Sequence, residues 1–324
     1  MLPARILATA THFPGTPRLT AELARAAMPE RTVADVEART GIHARWFANP
    51  GDSIVGQAAE AIRKALLAAD MPASALKRVI FTCSTGGDYI LPANANAVLD
   101  LLGVDGTADC FDLNNACVGF LSGLDVAARC VATGLGPVAV VASEMGSRHI
   151  DPADPRPYVV FGDAAAAAIV AAAEPGGAAV LATAFGNRGS LRDTVHMAHG
   201  SLTGQRENIV FNKSNRDITD IAMAGLGQVA TAIFAQTGLD WHGVDWIVPH
   251  QPNGAMLGQI ADHFGLDRAK MIPVVAETGN IGSASTAVGL DRLLRSGQVR
   301  TGQTILLIGV GSGLSYGALL YRVG

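Results

Sequence analysis

Residues 114–129 read NNACVGFLSGLDVAAR and residues 280–295 read NIGSASTAVGLDRLLR. Laid over each other without a gap, at an offset of 166 residues, they match at Asn114 and Asn280, at Gly-Leu-Asp, and at Arg129 and Arg295. The same offset carries the apolar run 139–142 onto 305–308. Working outward, a helical pattern over 58–67 and a strand over 78–82 end at Cys83. A second helical pattern over 227–234 and a strand over 245–249 end at His250. The chain therefore reads as one α/β half written twice, with residues 1–173 as the first copy and 174–324 as the second. Each half is expected to run helix, strand, connection, strand, turn, helix, strand. Helices alternating with continuously apolar strands predict mixed sheets buried on both faces.

The helices after Asn114 and Asn280 are apolar almost all round, which places them in the core. Gly119 and Gly123 share one face, as do Ser285 and Gly289. The expectation is that the two helices pack closely on each other between two sheets, giving five layers, αβαβα. Such a duplication brings equivalent loops together, so the loops at Cys117, His250 and Asn280 should meet.

Composition narrows the function. With 49% hydrophobic and 16% charged residues the 324-residue chain is not disordered. A net charge of −4 offers no electrostatic case for nucleic acid. The first residues read as a strand, and the longest apolar run, 164–173, is too short for a bilayer. A soluble cytoplasmic protein without membrane association is expected. The four cysteines, Cys83, Cys110, Cys117 and Cys130, form no C-x-x-C pair, so neither disulfides nor a metal site are predicted.

Cys117 follows a strand and a turn and is expected to open the central helix. There the helix dipole would lower its pKa and favour thiolate. The other three cysteines read as small buried hydrophobes, with Cys83 the closest rival. His250 is singled out because the repeat delivers it to Cys117. The other histidines, His196 and His199 among them, read as ordinary surface or core residues. Asn280 could be a turn residue, the role given to its counterpart Asn114.

These residues sit in stretches that resemble the β-ketoacyl-acyl-carrier-protein synthase III family of thiolase-fold condensing enzymes. The stretches are Thr40-Gly41-Ile42 with Arg45, residues 112–120 around Cys117, Phe161-Gly162-Asp163, residues 248–253 around His250, 279–285 around Asn280, and 311–317. The resemblance covers essentially the whole chain. It implies a homodimer and an acyltransferase whose acyl-Cys117 intermediate condenses with a malonyl-type or β-ketoacyl thioester, with Cys117, His250 and Asn280 catalytic. It implies an oxyanion hole of backbone N–H groups from Cys117 and the Ser312, Gly313 loop. It also implies substrate or pantetheine contacts at Arg39, Arg156, Leu91, Phe161 and Asn253. No tightly bound cofactor is implied; acyl-CoA or acyl-carrier-protein thioesters are the expected substrates and an acyl carrier protein the expected partner.

The chain departs from the family at Asp35, where a tryptophan is usual, at Ala255, where an arginine is frequent, and at Leu91, where relatives often carry phenylalanine. These departures point away from fatty-acid initiation and toward specialised polyketide-like biosynthesis, with a longer or bulkier acyl group. Lys213 and Arg216 are candidates for a carrier-protein patch. The segment 186–216 is expected to line the entrance. The alternatives are acyl transfer to an alcohol or amine without decarboxylative condensation, and a non-catalytic subunit of a heterodimeric ketosynthase.

Overall fold

The computed structural model describes residues 1–204 and 207–324. Five strands form the first sheet: β1 (Ala4–His12), β2 (Arg78–Thr82), β3 (Asp109–Leu113), β4 (Val138–Met145) and β5 (Asp163–Ala172), in the order β1-β5-β4-β2-β3. Four form the second: β6 (Ala179–Asn187), β7 (Trp246–Pro249), β8 (Thr304–Gly311) and β9 (Ser315–Arg322), in the order β6-β9-β8-β7. The orders superimpose as the repeat requires. β2 runs parallel to β4 as β7 runs parallel to β8, and the remaining pairs of each shared core are antiparallel.

Helices α1 (Ile54–Ala68) and α2 (Asn94–Leu102) cover the outer face of the first sheet. Helices α4 (Asn215–Thr237) and α5 (Gly254–Phe264) cover that of the second. Between the sheets lie α3 (Gly119–Ala132) and α6 (Ala284–Arg295). The fold is the duplicated thiolase-like αβαβα arrangement. Helix α4 is long and apolar enough to cross a bilayer by length and composition. Its buried residues, among them Leu226, Val229 and Ile233, instead pack on the second sheet.

Three details differ from the sequence expectation. The glycines of the central helices serve helix-on-sheet contact more than helix-on-helix contact. A Cβ on Gly123 would lie 2.7 Å from Val140 Cγ1, and one on Gly289 would lie 2.8 Å from Val248 Cγ1. Gly119 alone faces both a strand and the other helix's start, at Thr82 and Ser283. Second, β3 has no counterpart strand in the second half among the described residues. Met271 bridges Ile247 there, and Pro273, which has no N–H to donate, stands where the ladder would continue. A short helix, Val275–Thr278, follows instead. Third, α3 begins at Gly119, two residues after Cys117.

The innermost core draws on both copies. Phe120, Leu121 and Leu124 of α3 meet Leu290 and Leu293 of α6 and strand residues of both sheets. Burying each such side chain contributes roughly 1.5–3 kcal/mol. Neither central helix has a side-chain cap, with Val118 and Ser283 at the N-cap positions. Local turns take up the first N–H groups instead: Gly119 donates to Ala116 O, Ala284 to Ile281 O and Ser285 to Gly282 O.

Candidate active site

The turn before α3 places the thiol. Asn114 Oδ1 accepts the Ala116 N–H at 3.0 Å, the local turn expected of this asparagine. Ala116 takes the left-handed conformation, φ 46°. A non-glycine residue there costs about 1–2 kcal/mol. The bend turns Cys117 out of the strand direction into a cavity of about 340 Å³. Gly311, at the end of β8, approaches so closely that a Cβ would lie 2.8 Å from the Cys117 nitrogen.

The strand end of β7 delivers His250. Its N–H bonds the Ile308 carbonyl at 2.8 Å. Gln251 behind it is tied on three sides: its N–H donates to Ser285 Oγ, its Nε2 to the Ile272 carbonyl, and its Oε1 accepts from Val274 and Val275. Asn280 is held by a two-way exchange across Phe161, just before β5. Its N–H donates to Val160 O at 2.9 Å, and its carbonyl accepts from Gly162 N–H at 3.0 Å. Asn280 Oδ1 accepts the Gly282 N–H at 3.0 Å, and Nδ2 meets no acceptor among the described residues. Cys117, His250 and Asn280 all line the one cavity, as the duplication implied.

The electrostatics correct one expectation. Burial pushes the Cys117 thiol up to about 12, and the carboxylate of Glu144 adds to the effect. Hydrogen bonds from the Ser312 and Cys117 backbone N–H groups oppose it without prevailing. The helix start does not deliver a resting thiolate, because the sulfur sits in a low-dielectric wall facing a like charge. Burial pushes His250 down to about 4, so its imidazole is neutral. The resting pair is a neutral thiol and a neutral imidazole. The Ser312 and Cys117 N–H groups both reach the sulfur, and Ser312 and Gly313 line the cavity with it.

Other expected site residues fall in different places. Phe161 lines the cavity. Arg156 stacks over Phe211, 4.5 Å from the ring centroid, and donates to Lys213 O and Asn215 Oδ1, at 2.6 Å each. Since Phe211 lines the cavity, Arg156 braces its wall. Asn253 caps α5 by accepting the Met256 N–H, and it does not line the cavity. Arg39 is exposed in the last turn of helix Val33–Thr40. Leu91 is 88% exposed and does not line this chain's own cavity. The segment 186–216 does line the cavity, through Arg192, His196 and Met197 among others; its Gln205 and Arg206 lie outside the described residues.

Sequence reasoning missed Glu144. This residue, 3% exposed at the end of β4, lines the cavity beside Cys117. Its Oε1 accepts from Ser84 N–H and Oγ in the first half and from Ser283 N–H and Oγ in the second, at 2.5–3.0 Å. Burial holds its carboxyl above the usual range, against those bonds. It acts as the missing cap of α6, where a carboxylate suits the helix dipole. No motif announces it, since Ser84 and Ser283 are far apart in sequence. Cys83, beside it, is buried with its thiol pushed up to about 12.

A cysteine at a strand-to-helix turn, backed by a histidine and an asparagine from the second copy of a duplicated fold, defines a condensing enzyme of the thiolase-fold class. Residues 111–189 match the family described as 3-oxoacyl-[acyl-carrier-protein] synthase III, and residues 234–323 match its C-terminal part. The β-ketoacyl-[acyl-carrier-protein] synthase III of Yersinia enterocolitica is 29% identical over 98% of this chain and 99% of its own. The solved priming β-ketosynthase of the R1128 polyketide pathway is 30% identical, with a TM-score of 0.90, over 99% of this chain and 96% of its own. The 3-oxoacyl-[acyl-carrier-protein] synthase III of Aquifex aeolicus is 26% identical, with a TM-score of 0.90, over 98% and 99%. The chain belongs to the 3-oxoacyl-[acyl-carrier-protein] synthase III family.

Proposed function

We propose that this protein is an acyltransferase that forms an acyl thioester on Cys117 and condenses it, with loss of carbon dioxide, with a malonyl-type thioester. The observation that carries the reading is the Nδ2 donor of Asn280, without an acceptor among the described residues, in the same cavity as Cys117 and His250. Simple acyl transfer needs a nucleophile and a base. A second fixed donor is useful where an enolate oxygen must be stabilised. Attack by the Cys117 sulfur displaces the carrier thiol. The Ser312 and Cys117 N–H groups hold the oxyanion, and His250 and Asn280 then hold the enolate oxygen of the incoming extender.

The apolar wall of Met197, Ile209, Phe211, Ile221 and Met256 supports an acyl or pantetheine chain lying along it. The name of the Yersinia relative supports a carrier-protein thioester, and the R1128 relative supports priming in a specialised pathway. A cytoplasmic homodimer is part of the proposal. It is supported by the unpaired edge of β3 and by Ile90 and Leu91, 89% and 88% exposed.

Intact-protein mass after incubation with acyl-CoA and acyl-carrier-protein thioesters, followed by malonyl thioester, tests the reading. An adduct on Cys117 that malonyl thioester discharges with release of carbon dioxide is expected. An adduct that malonyl thioester leaves in place would replace condensation with transfer to an alcohol, an amine or a β-ketoacyl acceptor.

A further inference from the structure

His250 carries a ring nitrogen with nothing to bind. Nδ1 is buried and meets no hydrogen-bonding partner among the described residues, in a side chain 4% exposed. In most buried imidazoles a backbone group or carboxylate at one nitrogen decides which nitrogen is protonated. This chain shows one local way of doing so: His199 Nδ1 accepts the backbone N–H of Ser201, two residues on, at 3.2 Å. Two residues after His250 stands Pro252, which has no N–H. The intervening N–H, of Gln251, is committed to Ser285 Oγ. His250 and Pro252 both line the cavity, and Nε2 is the ring atom left to serve it.

We propose that Pro252 leaves His250 free to carry its proton on either ring nitrogen, and that this freedom lets one neutral imidazole serve both half-reactions. The inference rests on the condensation reading above. In acylation the Nδ1–H form presents a bare Nε2. The Cys117 proton passes to Nε2 as sulfur bonds the acyl carbon, and it leaves with the departing carrier thiolate as the original carbon–sulfur bond breaks. In condensation the Nε2–H form donates to the thioester oxygen while the extender's carboxylate leaves as carbon dioxide. The electron pair of that broken carbon–carbon bond forms the new one to the acyl carbon. The acyl–sulfur pair returns to Cys117, which takes a proton from solvent by way of His250. A neutral thiol facing a neutral imidazole makes such transfer necessary, since neither starts charged. Pro252 is a positioning residue and acts through His250.

Long-range proton–nitrogen NMR of ¹⁵N-imidazole-labelled protein at neutral pH, with His250 assigned by its loss in His250→Asn, reads the tautomers directly. Wild type should show His250 averaged between both forms, and Pro252→Ala should move it to the Nε2–H form. The same variant should acylate Cys117 about tenfold more slowly, the bias one N–H hydrogen bond imposes, while its discharge with malonyl thioester is not slowed. A single fixed tautomer in wild type overturns the proposal, and that spectrum decides even if Pro252→Ala folds poorly. An unchanged tautomer ratio in the variant, an unchanged acylation rate, or equal slowing of both steps also overturns it. The NMR reading needs no substrate. A failed condensation reading would appear separately, as wild-type acyl-enzyme that malonyl thioester cannot discharge.

Discussion

At the residue scale, the site depends on side chains that burial has made neutral. The Cys117 thiol near 12 predicts slow alkylation that keeps accelerating with pH. The iodoacetamide rate should rise without levelling between about pH 6 and 9, because the thiolate fraction grows throughout that span. A plateau near neutrality would mean a thiolate already formed. For His250 the folded value, about 4, lies below the unfolded 6.5. The unfolded chain therefore binds the proton more tightly, and stability is lost as pH falls through that window. The loss amounts to about 3 kcal/mol at most. His250→Asn should flatten the acid limb of the denaturation midpoint plotted against pH. Asn280→Ala should leave acylation near wild type and slow condensation on the order of 100-fold, the scale of one lost oxyanion-type donor. Equal loss of both steps would end the proposed division of labour.

At the scale of elements, Glu144 ties the loop after β2 to the start of α6 and so holds the Asn280 turn. Ser283→Ala removes one of these bonds and should lower the condensation rate more than the acylation rate. Glu144→Gln should in addition bring the alkylation profile of Cys117 to lower pH, since a like charge is gone. A profile that stays in place would separate Glu144 from the thiol. On α3, Gly123→Ala should cost about 1–3 kcal/mol in urea denaturation, because its Cβ meets Val140 Cγ1 at 2.7 Å.

How legible these features were follows from what makes them. The Asn114 and Asn280 match carried the fold, because a repeat writes identical residues at one spacing. The convergence of Cys117, His250 and Asn280 followed from it. Glu144 was invisible because its partners, Ser84 and Ser283, meet only in three dimensions. The sign of the Cys117 shift was also hidden. A helix start is readable in the sequence, but the depth of burial that overrides it is not. Even the matched aspartates parted company: Asp125 pairs with Arg129 at the surface, while Asp291 is buried and accepts from Thr9 and Thr11.

At the scale of the whole molecule, the core layer between the two sheets is built from both halves, which predicts that residues 1–173 and 174–324 do not fold independently. Chemical denaturation of the chain should give one transition by fluorescence and by circular dichroism alike, and each half expressed alone should be unfolded or aggregated. Two separated transitions would contradict this. The exposed Ile90 and Leu91 belong to the same scale, because the proposed dimer would cover them with another copy of the chain. Leu91→Phe should then shift the preferred acyl donor toward shorter chains in a competition assay, while an unchanged profile would place Leu91 outside the pocket.

The mixed parentage of the inner layer also limits how such enzymes can be shuffled. Leu121 and Leu124 come from one copy, and Leu290 and Leu307 from the other, and they are packed against each other. A crossover at residue 173 between two relatives would join helices shaped for different mates. Hybrids should survive only where α3 and α6 are inherited from the same parent. What began as two copies of one message has become a pair of texts that can be edited only together.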